Sequence, residues 1–108
     1  MQIQVNSDKN VEMSAELSAE IEAIVSGSLD RFTERITRVE VHLSDENGAR
    51  GGQMDKRCKI EARLAGLQPM VTSHDDQTEL QAVRGAADDM KRALTSVVDK
   101  LADKRIGR

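Results

Sequence analysis

Thr37-Arg-Val-Glu-Val-His-Leu-Ser44 decides how this chain is read. Thr37, Val39, Val41 and Leu43 alternate with Arg38, Glu40, His42 and Ser44, the two-residue period of a strand with one buried and one wet face. A second alternation runs from Arg57 to Leu64, with Cys58, Ile60, Ala62 and Leu64 on one side and Arg57, Lys59, Glu61 and Arg63 on the other. Gly51 and Gly52 break the chain between the two runs. The pair therefore reads as a hairpin with a long, flexible loop over about 45–53.

Working outward, the flanking segments change period. Leu17, Ile21, Ile24, Leu29 and Phe32 recur at helical steps within roughly Ser14 to Arg35. Leu80, Val83, Ala87, Met90, Leu94, Val98 and Leu101 do the same within Thr78 to Lys104. Ser14 is placed to cap the first helix, with Glu16 and Glu20 suiting its positive end and Arg31 and Arg35 its negative end. Gly27 weakens the middle of that helix, and Thr78 caps the last one.

Gln2 to Asn6 alternates around Ile3 and Val5, enough for a short first strand. Gly66 ends the second alternating run, and Pro69, lacking an amide, puts Leu67 to Ser73 on a sheet edge. Its inward residues are either Met70 and Thr72 or Val71 and Ser73. The order is β-α-β-β-β-α, with the first crossover long enough to set the second strand parallel to the first. An α+β two-layer sandwich follows, its four-stranded sheet covered on one face by two helices. The other face is left to Arg38, Glu40, His42, Arg57, Lys59, Glu61 and Arg63.

At 108 residues the chain, 1–108, makes one domain with a short C-terminal tail over about 105–108. It has no Trp or Tyr and a single Phe, so no aromatic platform for stacking bases exists. Lys and Arg total 16 against 19 Asp and Glu, a net charge of -3, which opposes bulk electrostatic capture of nucleic acid. No apolar run is long enough to span a membrane, and the N-terminus lacks the regions of a secretory signal. With one cysteine, Cys58, and no internal disulfide, the reading is cytoplasmic.

Catalytic constellations are hard to assemble. The strand phase puts Cys58 on the buried side, where it acts as a small apolar residue. His74 falls at a strand end beside Asp75 and Asp76, a spacing that fits a turn and cap rather than a metal site. Gly48, Gly51 and Gly52 are not followed by the Lys-Ser or Lys-Thr of a phosphate loop. Met13, Met54, Met70 and Met90 make no stripe and read as core filling. No enzyme, metal, cofactor or small-molecule substrate is expected. Basic residues do cluster, at Lys56, Arg57, Lys59 and Arg63 and again at Lys100, Lys104, Arg105 and Arg108.

The segments "IQVNSDKNVEMSAEL", "RFTERITRVEVHLS", "KIEARLAG" and "ELQAVRGAADDMKRALTSVVDKLADKR", in this order, resemble the ribosome hibernation promoting factor family, also described as ribosome-associated translation inhibitors or sigma-54 modulation proteins. Asn10-Val11-Glu12, Arg35-Ile36, Ala82-Val83 and Asp99-Lys100-Leu101 carry the likeness over nearly the whole chain. The resemblance implies a domain that occupies the mRNA/tRNA channel of the small ribosomal subunit, against 16S rRNA, and silences ribosomes under stress. It also implies a short form, without the extra C-terminal domain of long members.

The residues it would assign to RNA are Arg31, Arg35 and Arg38 around the first helix, Lys56, Arg57 and Lys59 on the hairpin, and Lys91, Arg92, Lys100, Lys104 and Arg105 on the last helix. Family members are basic along both helices, whereas this sequence has Val25 and Ser28 in the first and Asp89, Ser96 and Val98 in the second. Each missing phosphate contact lowers affinity and its salt dependence. The alternative reading is a protein-interaction module that keeps the fold and has lost strong rRNA binding.

Overall fold

The computed structural model describes residues 1–46 and 55–105, the last three as helix backbone. Its elements are β1 (Gln2–Ser7), α1 (Ala15–Ser28), a single 3-10 turn (Asp30–Phe32), β2 (Ile36–Asp45), β3 (Lys56–Leu64), β4 (Met70–Asp76) and α2 (Glu79–Arg105). The strands lie in the order β1-β2-β3-β4, with β1 parallel to β2 and the other neighbours antiparallel. This is the α+β sandwich that the alternating runs imply. Most of the expected loop, and the tail beyond 105, lie outside the described residues; Asp45 itself is the last residue of β2.

One face of the sheet is packed. Val39, Val41 and Leu43 of β2 and Cys58, Ile60, Ala62 and Leu64 of β3 are buried against Ile21, Val25 and Leu29 from the first helical segment and Val83, Ala87, Met90 and Leu94 from α2. Ala82 and Ala86 join them. Such small residues let α2 lie close to β3 and β4, since little side chain separates the backbones.

The expected phase of β2 fails at one end. Ile36 is buried and Thr37 exposed, because the register shifts between Ile36 and Arg38: Ile36 faces Leu64 while Arg38 faces Arg63. Thr37 is the extra residue of a β-bulge, and a bulge moves the preceding side chain to the other face. Its hydroxyl donates to the Arg63 carbonyl at 3.2 Å.

α1 is shorter than its periodicity predicts. Ser14 caps it, accepting from the Leu17 amide at 3.0 Å, but the helix stops at Ser28. Ser26-Gly27-Ser28 is a poor helical run, so Gly27 is next to last rather than central. The 3-10 turn after it tightens the chain and buries both Leu29 and Phe32. Arg31 and Arg35 therefore lie beyond the helix, whose last turn holds no basic residue.

β4 begins three residues later than expected, at Met70 rather than Leu67. The chain turns through Gly66, at φ 78°, with the Leu67 amide donating to the Leu64 carbonyl at 3.1 Å. The open question of phase is settled: Met70, Thr72 and His74 point toward the helices and Val71 and Ser73 away. Thr72 donates its hydroxyl to the Ala86 carbonyl at 2.9 Å, tying β4 to α2. Thr78 caps α2 as expected, accepting from the Gln81 amide at 3.1 Å.

Candidate nucleic-acid interface

The open face of the sheet carries rows of opposed charge. Arg38 stands beside Arg63 and Glu40 beside Glu61, while His42 stands beside Lys59. Like charges directly across a pair of strands repel. Ion pairs along each strand offset this, Arg38 to Glu40 at 3.6 Å and Arg63 to Glu61 at 3.3 Å. Arg38 also donates to Gln4 at 2.8 Å.

Arg57 is held more firmly on the same face. Its Nε and Nη2 donate to the two carboxylate oxygens of Asp75 at 2.8 and 3.2 Å, and Nη1 reaches Glu46 at 3.3 Å. The Asp75 hydrogen bond raises the Arg57 pKa and, reciprocally, lowers that of Asp75. Lys59, between His42 and Ser73 in register, has no ion pair among the described residues.

Lys56 belongs elsewhere. It has the parity of Cys58, so it points to the opposite face from Arg57, Lys59 and Arg63. Its side chain is 20% exposed, and its ammonium contacts Asp45 at 2.8 Å and Asp55 at 3.3 Å. Both carboxylates are largely buried, and the Asp45 hydrogen bond raises the Lys56 pKa. The sequence cluster of hairpin cations is therefore not one patch.

The helix layer holds the rest. Arg31 lies 3.9 Å from Asp99 and over the Phe32 ring at 5.3 Å from its centroid. Arg92 is paired with Asp89 one turn earlier on α2. Arg35, Lys91 and Lys100 are exposed and have no ion pair among the described residues. Arg35 borders an apolar groove of about 300 Å³ formed with Leu64, Leu67 and Leu101. The backbone of α2 continues through Lys104 and Arg105.

Between α1 and α2 runs a trough of about 400 Å³, lined by Ala23, Ile24, Gly27, Ser28, Arg84 and Asp88. Arg84 was not among the residues the sequence singled out, and it too is exposed without an ion pair among the described residues. Its signal was spacing: Arg84, Asp88 and Lys91 are one helical turn apart, so they share a flank of α2. Ser28 lines this trough, whereas Val25 is fully buried in the core. Val25 is thus no lost contact position, since a lysine there would point into apolar packing. Glu16, Glu20 and Glu22 make the exposed side of α1 acidic.

Cations consequently lie on both broad faces of the molecule, with the sheet between Lys59 and Lys91. They suit phosphate oxygens, and the ring beside them, Phe32 under Arg31, is buried and offers no platform for base stacking. Other chemistry finds little support. Cys58 is buried and its thiol is pushed up to about 12 by desolvation, so it is protonated at neutral pH. His74 lies within β4 rather than at its end, 3.2 Å from Asp76. Asp76 is held low first by the Gln77 amide and then by His74. Among the described residues no group of His, Cys, Asp and Glu is placed to hold a metal, and no helix is long and apolar enough to cross a membrane.

The family described as "Sigma 54 modulation protein / S30EA ribosomal protein" matches residues 3–104. No curated protein matches the sequence. Among solved structures, the fold is similar to the N-terminal domain of Protein Y from Thermus thermophilus, with a TM-score of 0.72 and 20% identity over 90% of this chain and 99% of that one. It is also similar to a ribosomal subunit interface protein from Coxiella burnetii, with a TM-score of 0.71 and 14% identity over 92% of this chain and 99% of that one. At such identities the likeness is one of fold.

Proposed function

Because the chain belongs to the sigma 54 modulation protein / S30EA ribosomal protein family, we propose that it is a ribosome-associated translation inhibitor acting as a hibernation factor. It binds the small ribosomal subunit at the mRNA/tRNA channel, against 16S rRNA, and does so in the cytoplasm as a single non-enzymatic domain without a cofactor. The observation that carries this reading is the extent of the family match, which takes in every element from β1 to α2.

Lys59, Arg35, Lys91 and Lys100 are the leading phosphate contacts, since no carboxylate competes for them among the described residues. Arg84 joins them from the trough. Arg31, Arg38, Arg57 and Arg92 contribute after exchanging an internal carboxylate for a phosphate. Lys104 and Arg105 extend the α2 series. Lys56 acts at one remove, by holding the base of the hairpin that presents Arg57 and Lys59.

Sedimentation of the protein with purified small subunits, at low and at moderate salt, tests the proposal. Co-sedimentation that weakens with salt is expected; its absence at low salt would overturn the reading. The acidic side of α1 favours a second reading, a protein-interaction module that has lost strong rRNA binding. A stable protein partner retained after nuclease treatment, without ribosomal RNA, would select it.

A further inference from the structure

The two edges of the sheet differ in a way that points to self-association. β4 is preceded by Pro69 and ends in Asp75 and Asp76, features that discourage pairing with another strand. β1 has neither. Its sequence, Gln-Ile-Gln-Val-Asn-Ser, contains no charge and no proline in a chain that is 32% charged. Among the described residues it is paired with β2 alone, so its outer edge presents unpaired amides and carbonyls.

The side chains beside that edge are half covered. Met1, Ile3 and Val5 pack on the core but are only partly buried, which leaves an apolar ledge on the helix side. Gln2 and Gln4 are exposed, with uncharged amides on the open side. The pattern is symmetric about Gln4: amide, apolar, amide, apolar, amide. An antiparallel copy centred there sets Ile3 opposite Val5, Gln2 opposite Asn6 and Gln4 opposite itself. Directly opposed residues share a face, so the two ledges merge and no like charges meet within the strand pair.

We propose that β1 is the edge through which two copies of this chain associate, antiparallel about Gln4, into one continuous eight-stranded sheet. The helix layers then continue side by side.

Sedimentation velocity from micromolar to millimolar protein should show the weight-average mass rising from 11.9 kDa toward twice that value. A monomer throughout would overturn the proposal. Gln4→Lys, at an exposed position, should keep the fold by circular dichroism and weaken association by up to about fivefold, through two ammonium groups on the two-fold axis. An equimolar mixture of Gln4→Lys and Gln4→Glu should restore it. Association of Gln4→Lys as strong as the parent, or no restoration in the mixture, would overturn the pairing.

Gln4→Cys should form a disulfide-linked dimer in oxidised glutathione, whereas Ser73→Cys on β4 should stay largely monomeric. Equal cross-linking of the two would overturn the assigned edge.

Discussion

The imidazole of His74 fills the space that a Cβ at Gly85 would need. β4 and α2 meet there ring against bare backbone, and Thr72 and Ala86 are hydrogen-bonded beside them. Gly85→Ala should therefore destabilise the protein, even though alanine is better in a helix by about 1 kcal/mol. In a His74→Ala background the same substitution should stabilise by about that amount. Chemical denaturation of the four proteins of the cycle checks the change of sign.

Lys56 should matter more to folding than any other hairpin cation. Lys56→Met removes the ammonium that the largely buried Asp45 and Asp55 both contact. The denaturation midpoint should fall well below that of Lys59→Met, which removes a cation with no ion pair among the described residues. Equal midpoints would show that the three-charge cluster contributes nothing.

Acid should weaken the Arg57–Asp75 pair in a defined window. Asp75 and Asp76 both have folded pKa values below the ordinary 3.8, the first because of Arg57 and the second chiefly because of the Gln77 amide. Their stabilising contribution is complete above the unfolded value and is lost as pH falls through the lowered folded values. Arg57→Met should bring the Asp75 pKa back up toward 3.8 and flatten the pH dependence of stability below that point. Carboxylate titration by NMR, with denaturation at matched pH, measures both.

Cys58 should be nearly inert in the native protein. Its burial and a thiol pushed up to about 12 leave almost no thiolate at neutral pH. Reaction with an aromatic disulfide reagent should be slow until denaturant opens the fold, and a fast native reaction would contradict the packing of β3 against the helices.

On the small subunit, Lys91→Glu and Arg84→Glu should both reduce co-sedimentation without lowering stability, since neither residue has an ion pair among the described residues. Each phosphate contact removed should make the logarithmic salt dependence less steep by about 0.7–0.9. Comparison with Lys59→Glu reports whether the sheet face is engaged as well. An affinity unchanged by all three substitutions would point away from these cations as the RNA contacts.

The layers of the fold were legible because Val39, Val41, Leu43, Ile60, Ala62 and Leu64 keep strict period two and the helices keep their stripes. What escaped was decided by three-dimensional context. Thr37 and Ile36 exchange roles at a bulge that composition does not mark, and α1 yields to a 3-10 turn that buries Leu29 and Phe32 together. The β4 phase follows from the Gly66 turn and from the space at Gly85.

The candidate site was harder to read than the fold. Lys56 was grouped with its neighbours in sequence, although strand parity already separated it from Arg57. Val25 stands among the missing cation positions by family likeness, although it is four residues from both Ile21 and Leu29 and so shares their buried stripe. Arg31 and Arg57 are paired by carboxylates from other elements, while Arg84 has no ion pair among the described residues. Sequence order alone does not bring Asp75 to Arg57 or Asp99 to Arg31.

The bulge also changes what a deletion does. Losing one residue from a strand ordinarily turns every side chain beyond the gap to the wrong face. At Thr37 the reverse holds: without it, Ile36, Val39, Val41 and Leu43 still point inward, and Arg38 still points out, along an unbroken ladder. β2 thus contains a position where the chain can shorten by one residue and leave its hydrophobic face intact, a tolerance for length variation in the middle of the fold instead of in a loop.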